Sequence, residues 1–306
     1  DGHFSIAQQS AAPRICPFFY REVAFVKTEE GYQSEDGKQV ESVEGYEDLD
    51  QLFRRSISSE GELVYYPVVL KEVEDPSLQG IYQNNEPLVV RYQGGETQTL
   101  TAESFEMYDE ALPERTVTEE VEGIPVLRLQ FFDSQGSRER REFLEDHADA
   151  PVQIIDLRTN GGGFWQDAQS VMMDYVGQAV PTNSVEVDAW TGNYQDEQDQ
   201  FAENEKLLIV LTGKYTASAA EQFVDAIHNV ENVLIVGENT NGCILTAAGS
   251  SYLPNSNAPM VLGANLVHVF PGEGFFEELR GLYPDIWVPA GEAEELVIKL
   301  VEQLNR

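Results

Sequence analysis

The sequence is poor in cysteine, in basic residues and in long apolar runs. Its two cysteines, Cys16 and Cys243, lie far apart and lack metal-ligand spacing, which disfavours a zinc site and leaves a disulfide between them open. No apolar run approaches the roughly 18 residues that span a bilayer. Lysine and arginine number 19 against 54 aspartates and glutamates, so the net charge is -35. A field of that sign repels phosphate backbones and anionic lipids, so nucleic acids and membranes are disfavoured as partners.

What the sequence does contain is a β-rich pattern over residues 21–115, after an N-terminal segment of residues 1–20. Short apolar runs such as EVAFV, ELVYYPVVL and PLVVRY alternate with turn-forming stretches such as SEDGK and QGGE. Pro67 cannot donate a ladder hydrogen bond and therefore predicts an edge strand for its run. The stretch YEDLDQLFRRSIS predicts one short amphipathic helix, because its apolar residues fall at helical spacing.

Residues 116–306 show a different texture, in which buried strands alternate with helices. The strand-like segments IPVLRLQFF, VQIIDLR, LLIVLTG and NVLIVGE alternate with the helical segments SRERREFLEDHA, FWQDAQSVMMDYVG and SAAEQFVDAIHNV, and a last helix is predicted over 292–304. Ser137 is the predicted N-cap of the first of these helices. The alternation indicates an α/β core with parallel strands, in which sites gather at the carboxyl ends of the strands. We therefore expect a site just after VQIIDLR and LLIVLTG.

Ser218, in the segment GKYTASAAE after LLIVLTG, stands at the predicted start of a helix. A hydroxyl there lies beside free backbone amides and the positive end of the helix dipole, which would stabilise an oxyanion formed next to it. The structural alternative is an ordinary N-cap, with Glu221 three residues later completing a capping box. Taken alone, the position of Ser218 favours the interpretation as an N-cap.

The segment DLRTNGGG changes that balance, because a buried strand there ends in three consecutive glycines. Each glycine costs backbone entropy on folding. A sequence tolerates that cost where the backbone approaches a ligand closely or takes a positive φ. A tight strand-to-helix turn explains the glycines equally well when they are taken alone. Together with a helix-start serine after the next buried strand, they predict an oxyanion hole.

A nucleophilic serine needs a base, and the candidates are four histidines. His147 ends a charged helix and His228 lies nearly three helical turns after Ser218, so both are interpreted as surface or packing residues. His268, on the apolar run LVHVF, is interpreted as a strand-face residue. His3, in DGHFS, stays open on physical grounds alone.

Four motifs in this order and spacing, DLRTNGGG, TASAAEQF, VGENTNG and LRGLYPDIWVP, resemble the tail-specific or C-terminal processing serine peptidases. The resemblance spans 123–289, more than half of the chain. It implies an α/β fold with a ClpP/crotonase-like peptidase core. It also implies that Ser218 is the nucleophile and that the amide of Ala219, with that of Gly162 or Gly163, forms the oxyanion hole.

That family activates its serine in two ways, and two segments discriminate between them. The Ser/Lys branch has a lysine base in a GEKTFGKG-like segment, whereas GENTNGCIL has Cys243 at that place, and Lys214 does not match the base position. The tricorn-like branch has its histidine after Asp-Gly and its glutamate three residues before the glycine of a G-x-x-P-D motif. His3 and Glu278 match those positions. The resemblance thus implies a catalytic set of Ser218, His3 and Glu278, with no metal and no other cofactor.

The activity implied by the resemblance is that of a serine endopeptidase, which cleaves extended or unfolded polypeptides through an acyl-enzyme outside the cytoplasm. Residues 21–115 would be an inserted module, either a degenerate PDZ-like domain or a cap, and 116–306 the peptidase core. The alternative is a catalytically silent protein that binds peptides or lipids on the same scaffold. A lipase or esterase is disfavoured because no G-x-S-x-G elbow frames Ser218, and a fourth reading makes Cys243 the nucleophile. The oligomeric state stays open.

Overall fold

The structure is a computed structural model that describes residues 14–73, 81–178, 180–183, 185–188, 202–244, 247–252, 259–263, 266–270, 274–275 and 279–304. None of the helices within these ranges is long and apolar enough to cross a membrane.

Antiparallel sheets make up the first part of the described chain. Its elements are the strands β1 (Arg14–Phe19), β2 (Phe25–Thr28), β3 (Gly31–Ser34), β4 (Val40–Val43), β5 (Phe53–Ile57), β6 (Leu63–Val73), β7 (Ile81–Tyr82), β8 (Leu88–Tyr92), β9 (Thr97–Leu100) and β10 (Phe105–Glu106), and the helix α1 (Leu49–Leu52). The long strand β6 pairs with β1, β2 and β5, and β3 extends this sheet beyond β2. A second sheet has the order β4-β8-β9, and β7 pairs with β10. The predicted β-rich character is confirmed, and β1, which precedes residue 21, belongs to the same sheet as β6.

Two local predictions for this part are wrong. The helix predicted over YEDLDQLFRRSIS is confined to α1, because the next residues form β5, whose Phe53 ring stacks on Tyr32 with the ring centroids 4.4 Å apart. Pro67 does not lie in an edge strand, because β6 stands between β1 and β2. The pairing of β6 with β5 ends at Pro67 and its pairing with β1 begins at Val68. The residue without an N–H therefore lies where the ladder changes partner.

A mainly parallel sheet with helices makes up the rest of the chain. Its elements are β11 (Thr116–Val121), β12 (Ile124–Leu129), α2 (Ser137–Asp146), β13 (Val152–Asp156), α3 (Trp165–Val176), β14 (Val185–Asp188), β15 (Leu207–Thr212), α4 (Ala219–Ile227), β16 (Val233–Gly237), β17 (Ala247–Tyr252), β18 (Pro259–Gly263), β19 (Leu266–Phe270), β20 (Gly274–Phe275), β21 (Ile286–Trp287) and α5 (Ala293–Leu304). The sheet order is β11-β12-β13-β15-β16-β21, parallel from β12 to β21 and antiparallel between β11 and β12. Strand β19 pairs with β14 and β20, and β17 pairs with β18, all antiparallel. The predicted α/β class with parallel strands is confirmed.

Helix α2 begins differently from the prediction. Ser137 is its first residue, and Gly136 holds the N-cap position with a φ of 72°. A Cβ on Gly136 would lie 2.7 Å from the Cβ of Thr116, so both the dihedral and the space favour glycine. The prediction that Ser137 caps this helix is therefore wrong.

Both faces of the parallel sheet are buried, which explains why its strands read as continuous apolar runs. In β15, Leu208 and Val210 pack in one core cluster with residues of α3 and α4. The alternate residues, Ile209 and Leu211, pack in another cluster with residues of α5. The period of two along the strand thus separates two helical layers.

The carboxyl ends of β13 and β15 lie side by side, because these strands are parallel neighbours. The glycine segment follows β13, and the loop 213–217, which leads to Ser218 and α4, follows β15. The fold therefore brings together the two segments in which the sequence predicts a site.

Candidate active site

Ser218 precedes the first residue of α4 and has an unusual backbone conformation. Its φ is 57° and its ψ is -122°, a region that glycine enters freely and that costs other residues free energy. An ordinary N-cap residue has an extended backbone instead. The carboxylate of Glu221 accepts a hydrogen bond from the Ser218 N–H at 3.3 Å, so a capping contact exists. Strain of this kind at a side chain able to react is typical of functional sites.

Hydrogen bonds from three directions fix the loop that carries Ser218. The Ser218 N–H donates to the carbonyl of Cys243 at 3.0 Å, and the Ala217 N–H donates to the carbonyl of Asn160 at 3.0 Å. The Thr216 hydroxyl donates to the carbonyl of Leu157 at 2.7 Å. The loop after β15 is therefore tied both to the glycine segment after β13 and to the segment that follows β16.

Gly162 lies directly against Ser218 and the loop 213–217 that leads to it. A Cβ on Gly162 would lie 2.7 Å from the Cβ of Ser218 and 2.9 Å from the carbonyl oxygen of Ala217, and its φ is 109°. Only glycine fits at such a place without displacing Ser218. Gly163 has a φ of 134°, and a Cβ on it would lie 2.2 Å from the carbonyl oxygen of Phe132.

The backbone amides around Ser218 differ in whether they are already bonded. The Gly162 N–H donates to the side-chain Oδ1 of Asn160 at 2.9 Å. The N–H groups of Gly163 and Ala219 make no hydrogen bond to other described residues. Of the three amides that the sequence analysis named for an oxyanion hole, these two remain as donors for a bound oxygen.

Glu221 is fully buried and organises the segment after β16. Its carboxylate accepts hydrogen bonds from the Thr240 hydroxyl at 2.5 Å and from the N–H groups of Gly242 and Cys243, both at 2.7 Å. Burial raises the pKa of Glu221, against the lowering effect of these donated hydrogen bonds. The sequence pattern assigned Glu221 a cap alone; its wider role follows from a fold that brings 240–243 beside the start of α4.

The segment 279–282 lies against the segment 240–243, which follows β16. The Leu279 N–H donates to the carbonyl of Gly242 at 2.7 Å, and a Cβ on Gly242 would lie 2.5 Å from the backbone of Leu279. The Ile15 N–H donates in turn to the carbonyl of Leu279 at 3.1 Å. Backbone contacts thus run from Ser218 through Cys243 and Gly242 to Leu279 and the start of β1.

The predicted site residues divide into two groups. Ser218, Ala219, Gly162 and Gly163 are brought together as described above. His3 and Glu278 lie outside the described residues, as does the side chain of His268.

The other two histidines lie elsewhere, in agreement with their interpretation as surface or packing residues. His147 contacts the carbonyl of Phe143 through Nδ1 at 2.8 Å and the carboxylate of Glu120 through Nε2 at 3.2 Å. His228 is exposed at the C-terminal end of α4, the end opposite to Ser218.

Two further ionisable groups are buried in the loops that follow β15 and β16. The Lys214 ammonium donates to the carbonyl of Thr240 at 2.6 Å, and burial lowers the pKa of Lys214 to about 8. Glu238 accepts a hydrogen bond from the Ala290 N–H at 2.8 Å, and burial raises the pKa of Glu238 to about 7. The sequence does not single out Glu238, because this residue ends the ordinary apolar strand motif NVLIVGE. Among the described residues, no group of three or more His, Cys, Asp and Glu side chains is arranged to hold a metal ion.

Comparison with known sequences defines the class of protein. The sequence model of peptidase family S41 matches residues 123–288. That match covers more than half of the chain and includes Ser218 and both candidate oxyanion glycines. The chain therefore belongs to peptidase family S41.

Individual relatives carry names that agree with this family. The tail-specific protease of Haemophilus influenzae is 25% identical over 205 residues, which cover 64% of this chain and 29% of that protein. The carboxyl-terminal-processing protease of Synechocystis sp. is 28% identical over 128 residues, which cover 40% of this chain and 28% of that protein. The solved structure of the photosystem II D1 C-terminal processing protease matches with a TM-score of 0.45 and 18% identity, over 71% of this chain and 59% of that chain. The chain spans less than a third of the length of these two curated relatives.

Proposed function

We propose that this chain is a serine-type endopeptidase in which Ser218 is the nucleophile. The observation that carries the proposal is the positive φ of Ser218 beside two backbone amides, those of Gly163 and Ala219, that make no other hydrogen bond within the described chain. A strained serine next to backbone donors that are not otherwise bonded is suited to acyl transfer, in which negative charge develops on the substrate oxygen.

The reaction follows from these groups in two stages. The Ser218 oxygen bonds to the carbonyl carbon of the peptide while the His3 imidazole accepts its proton, and the two amides bind the resulting oxyanion. Collapse of this intermediate breaks the C–N bond, and the imidazolium returns the proton to the leaving amine. Water then attacks the acyl-enzyme by the same route and releases the acid. Glu278 would orient the imidazole and stabilise its charge.

Chain continuity supports the roles of His3 and Glu278. Glu278 is covalently joined to Leu279, whose N–H is bonded to Gly242, the neighbour of Cys243. His3 lies 12 residues before Ile15, which is bonded to Leu279, and a chain of that length spans up to about 40 Å. Both residues are thus attached to segments that contact the surroundings of Ser218.

The proposed substrate is an extended or unfolded polypeptide. Support comes from the names of the relatives, a tail-specific and a carboxyl-terminal-processing protease. In this proposal residues 1–20 bring the histidine, 21–115 form a PDZ-like or cap module, and 116–306 form a ClpP/crotonase-like core. The family resemblance also supports action outside the cytoplasm, which fractionation of cells that express the full-length protein would test.

A fluorophosphonate probe tests the nucleophile, because it forms a covalent bond with an activated serine. We expect labelling of the wild type but not of Ser218→Ala. The matched control is Ser137→Ala, which removes the hydroxyl of another serine at a helix start and should label normally. His3→Ala should lower kcat by about 100-fold or more.

The alternative function has its own outcome in this experiment. Absence of labelling in a correctly folded wild type would favour a protein that binds peptides or lipids without turnover. Labelling of Ser218→Ala would show that another residue is the nucleophile.

A further inference from the structure

We propose that Asn160 is a positioning residue of this site. It holds two loops in register, the oxyanion loop of residues 161–163 and the nucleophile loop of residues 213–218. The inference rests on the proposed peptidase function and adds a residue that the catalytic set of Ser218, His3 and Glu278 does not contain.

Asn160 contacts both loops at once. Its backbone carbonyl accepts the N–H of Ala217, the residue before the nucleophile. Its side-chain Oδ1 accepts the N–H of Gly162, the residue packed against Ser218. One fully buried residue therefore fixes the spacing between the two halves of the proposed oxyanion hole.

The side-chain contact also determines which amide is available for the substrate. Because Oδ1 of Asn160 occupies the Gly162 N–H, that amide is turned towards the protein. The next peptide unit is anchored on its other side, where Phe132 donates to the Gly162 carbonyl at 2.7 Å and accepts from the Phe164 N–H at 2.9 Å. The Gly163 N–H, between these two anchors, is left for the substrate oxygen.

A second observation is that the Asn160 side chain carries a donor that does not stabilise the fold. Its Nδ2 atom is buried and makes no hydrogen bond to any other described residue. A buried donor in that state is costly and rare. The acceptor Oδ1 and the size of the side chain are therefore the features in use. An aspartate would supply the same acceptor, but it would place a negative charge beside the developing oxyanion.

The test compares three variants with the wild type. Asn160→Ala removes the acceptor, and Asn160→Ser retains a shorter and weaker one. Asn204→Ala is the matched control, because Oδ1 of Asn204 accepts the N–H of Lys206 in the same type of two-residue turn. Asn204 also contacts Glu231, beyond the C-terminal end of α4 and away from Ser218.

The measurements are kcat and KM for a fluorogenic peptide, inhibition by a peptide boronic acid, and hydrogen exchange over 158–165. We expect Asn160→Ala to lower kcat about 100-fold with KM changed less than threefold, because a displacement of about 1 Å at a reacting centre has that effect. Binding of the boronic acid, which forms a tetrahedral adduct with the serine, should weaken by a similar factor. Exchange of the Gly162 amide should accelerate, Asn160→Ser should give intermediate values, and Asn204→Ala should resemble the wild type.

The outcomes separate this inference from the proposed function. A wild type that neither hydrolyses the peptide nor reacts with a fluorophosphonate contradicts the peptidase function and this inference with it. An active wild type with unchanged kcat and boronic acid binding in Asn160→Ala overturns the role of Asn160 alone. If Asn160→Ala does not fold, the measurements on Asn160→Ser test the inference instead. A kcat and an inhibition by the boronic acid equal to those of the wild type in that variant would overturn it.

Discussion

The antiparallel region before residue 115 and the α/β region after it bury very different polar groups. In the described part of the antiparallel region no Asp, Glu, Lys, Arg or His side chain is buried. Besides cysteine and tyrosine, its buried polar residues are three serines and an asparagine. The α/β region buries charged side chains as well, several of them in the loops that follow β13, β15 and β16. Arg158, Lys214 and Glu238 lie in these loops, Asp156 ends β13, and Glu221 lies in the first turn of α4.

The apolar cores do not explain this difference, since both regions have one. The antiparallel region packs aromatic rings such as Phe25, Tyr32 and Phe53, whereas the α/β region packs mainly aliphatic side chains between sheet and helices. Burying a charge costs free energy unless it is paired and hydrogen-bonded. A concentration of buried charges at one edge of one sheet is therefore typical both of functional sites and of structural ion-pair networks.

Some of these buried charges have a structural role, and the contacts distinguish them. Arg158 bonds the carboxylate of Asp156 through two nitrogens and the carbonyl of Ala290 at 2.7 Å. Arg128 bonds both Asp156 and Glu294. This network ties β12 and β13 to the start of α5. Glu221, in contrast, bonds the N–H of Ser218 itself and three groups of the segment 240–243.

The largest expected effect comes from closing the contact between Gly162 and Ser218. Gly162→Ala would place a Cβ 2.7 Å from the Cβ of Ser218 at a φ of 109°, so the nucleophile or the oxyanion loop must move. We expect kcat for a peptide substrate, or the rate of fluorophosphonate labelling, to fall at least about 100-fold.

The neighbouring glycine provides the control for that change. A Cβ on Gly161 would meet no atom within 4 Å, and its φ lies outside the positive region. Gly161→Ala should therefore keep most of the activity. Equal activities of the two variants would contradict the packing of Gly162 against the nucleophile.

A smaller effect, on stability, is expected at Glu238. Its pKa is raised from 4.5 to about 7, so the folded state keeps the proton to a higher pH than the unfolded chain does. The wild type should therefore lose stability as the pH rises from about 4.5 to 7, by up to about 3 kcal/mol. Glu238→Gln retains an oxygen for the Ala290 N–H and removes the ionisation, so its free energy of unfolding relative to the wild type should increase between pH 4 and pH 8.

Urea denaturation at these two pH values measures the Glu238 effect. Glu231→Gln is the control, because it makes the same substitution at an exposed side chain. A difference between Glu238→Gln and the wild type that stays constant from pH 4 to pH 8 would contradict the assignment.

The strength of the local signals explains how much of this could be predicted from the sequence. Strong apolar periodicity predicted β13, β15, α3 and α4, and the strand order then placed the glycines beside Ser218. Phe53, in a segment with helical spacing, is in a strand instead because its ring packs on Tyr32, a contact between residues distant in sequence. The hydrogen bond from the Gly162 N–H to Asn160 Oδ1 likewise depends on the orientation of a side chain, which the spacing of residues in the sequence does not determine.

The smallest effect is expected for an ion pair on the surface of the antiparallel region. Lys27 and Asp50 are 2.7 Å apart, with 43% and 65% of their side chains exposed, so water and salt screen their attraction. Lys27→Met, which keeps the aliphatic stem, should change the free energy of unfolding by less than about 1 kcal/mol at low salt, and by less again in 1 M salt. Urea denaturation at both salt concentrations measures this. A loss as large as the effect expected at Glu238 would show that the antiparallel region also depends on charge, and the contrast between the two regions would then fail.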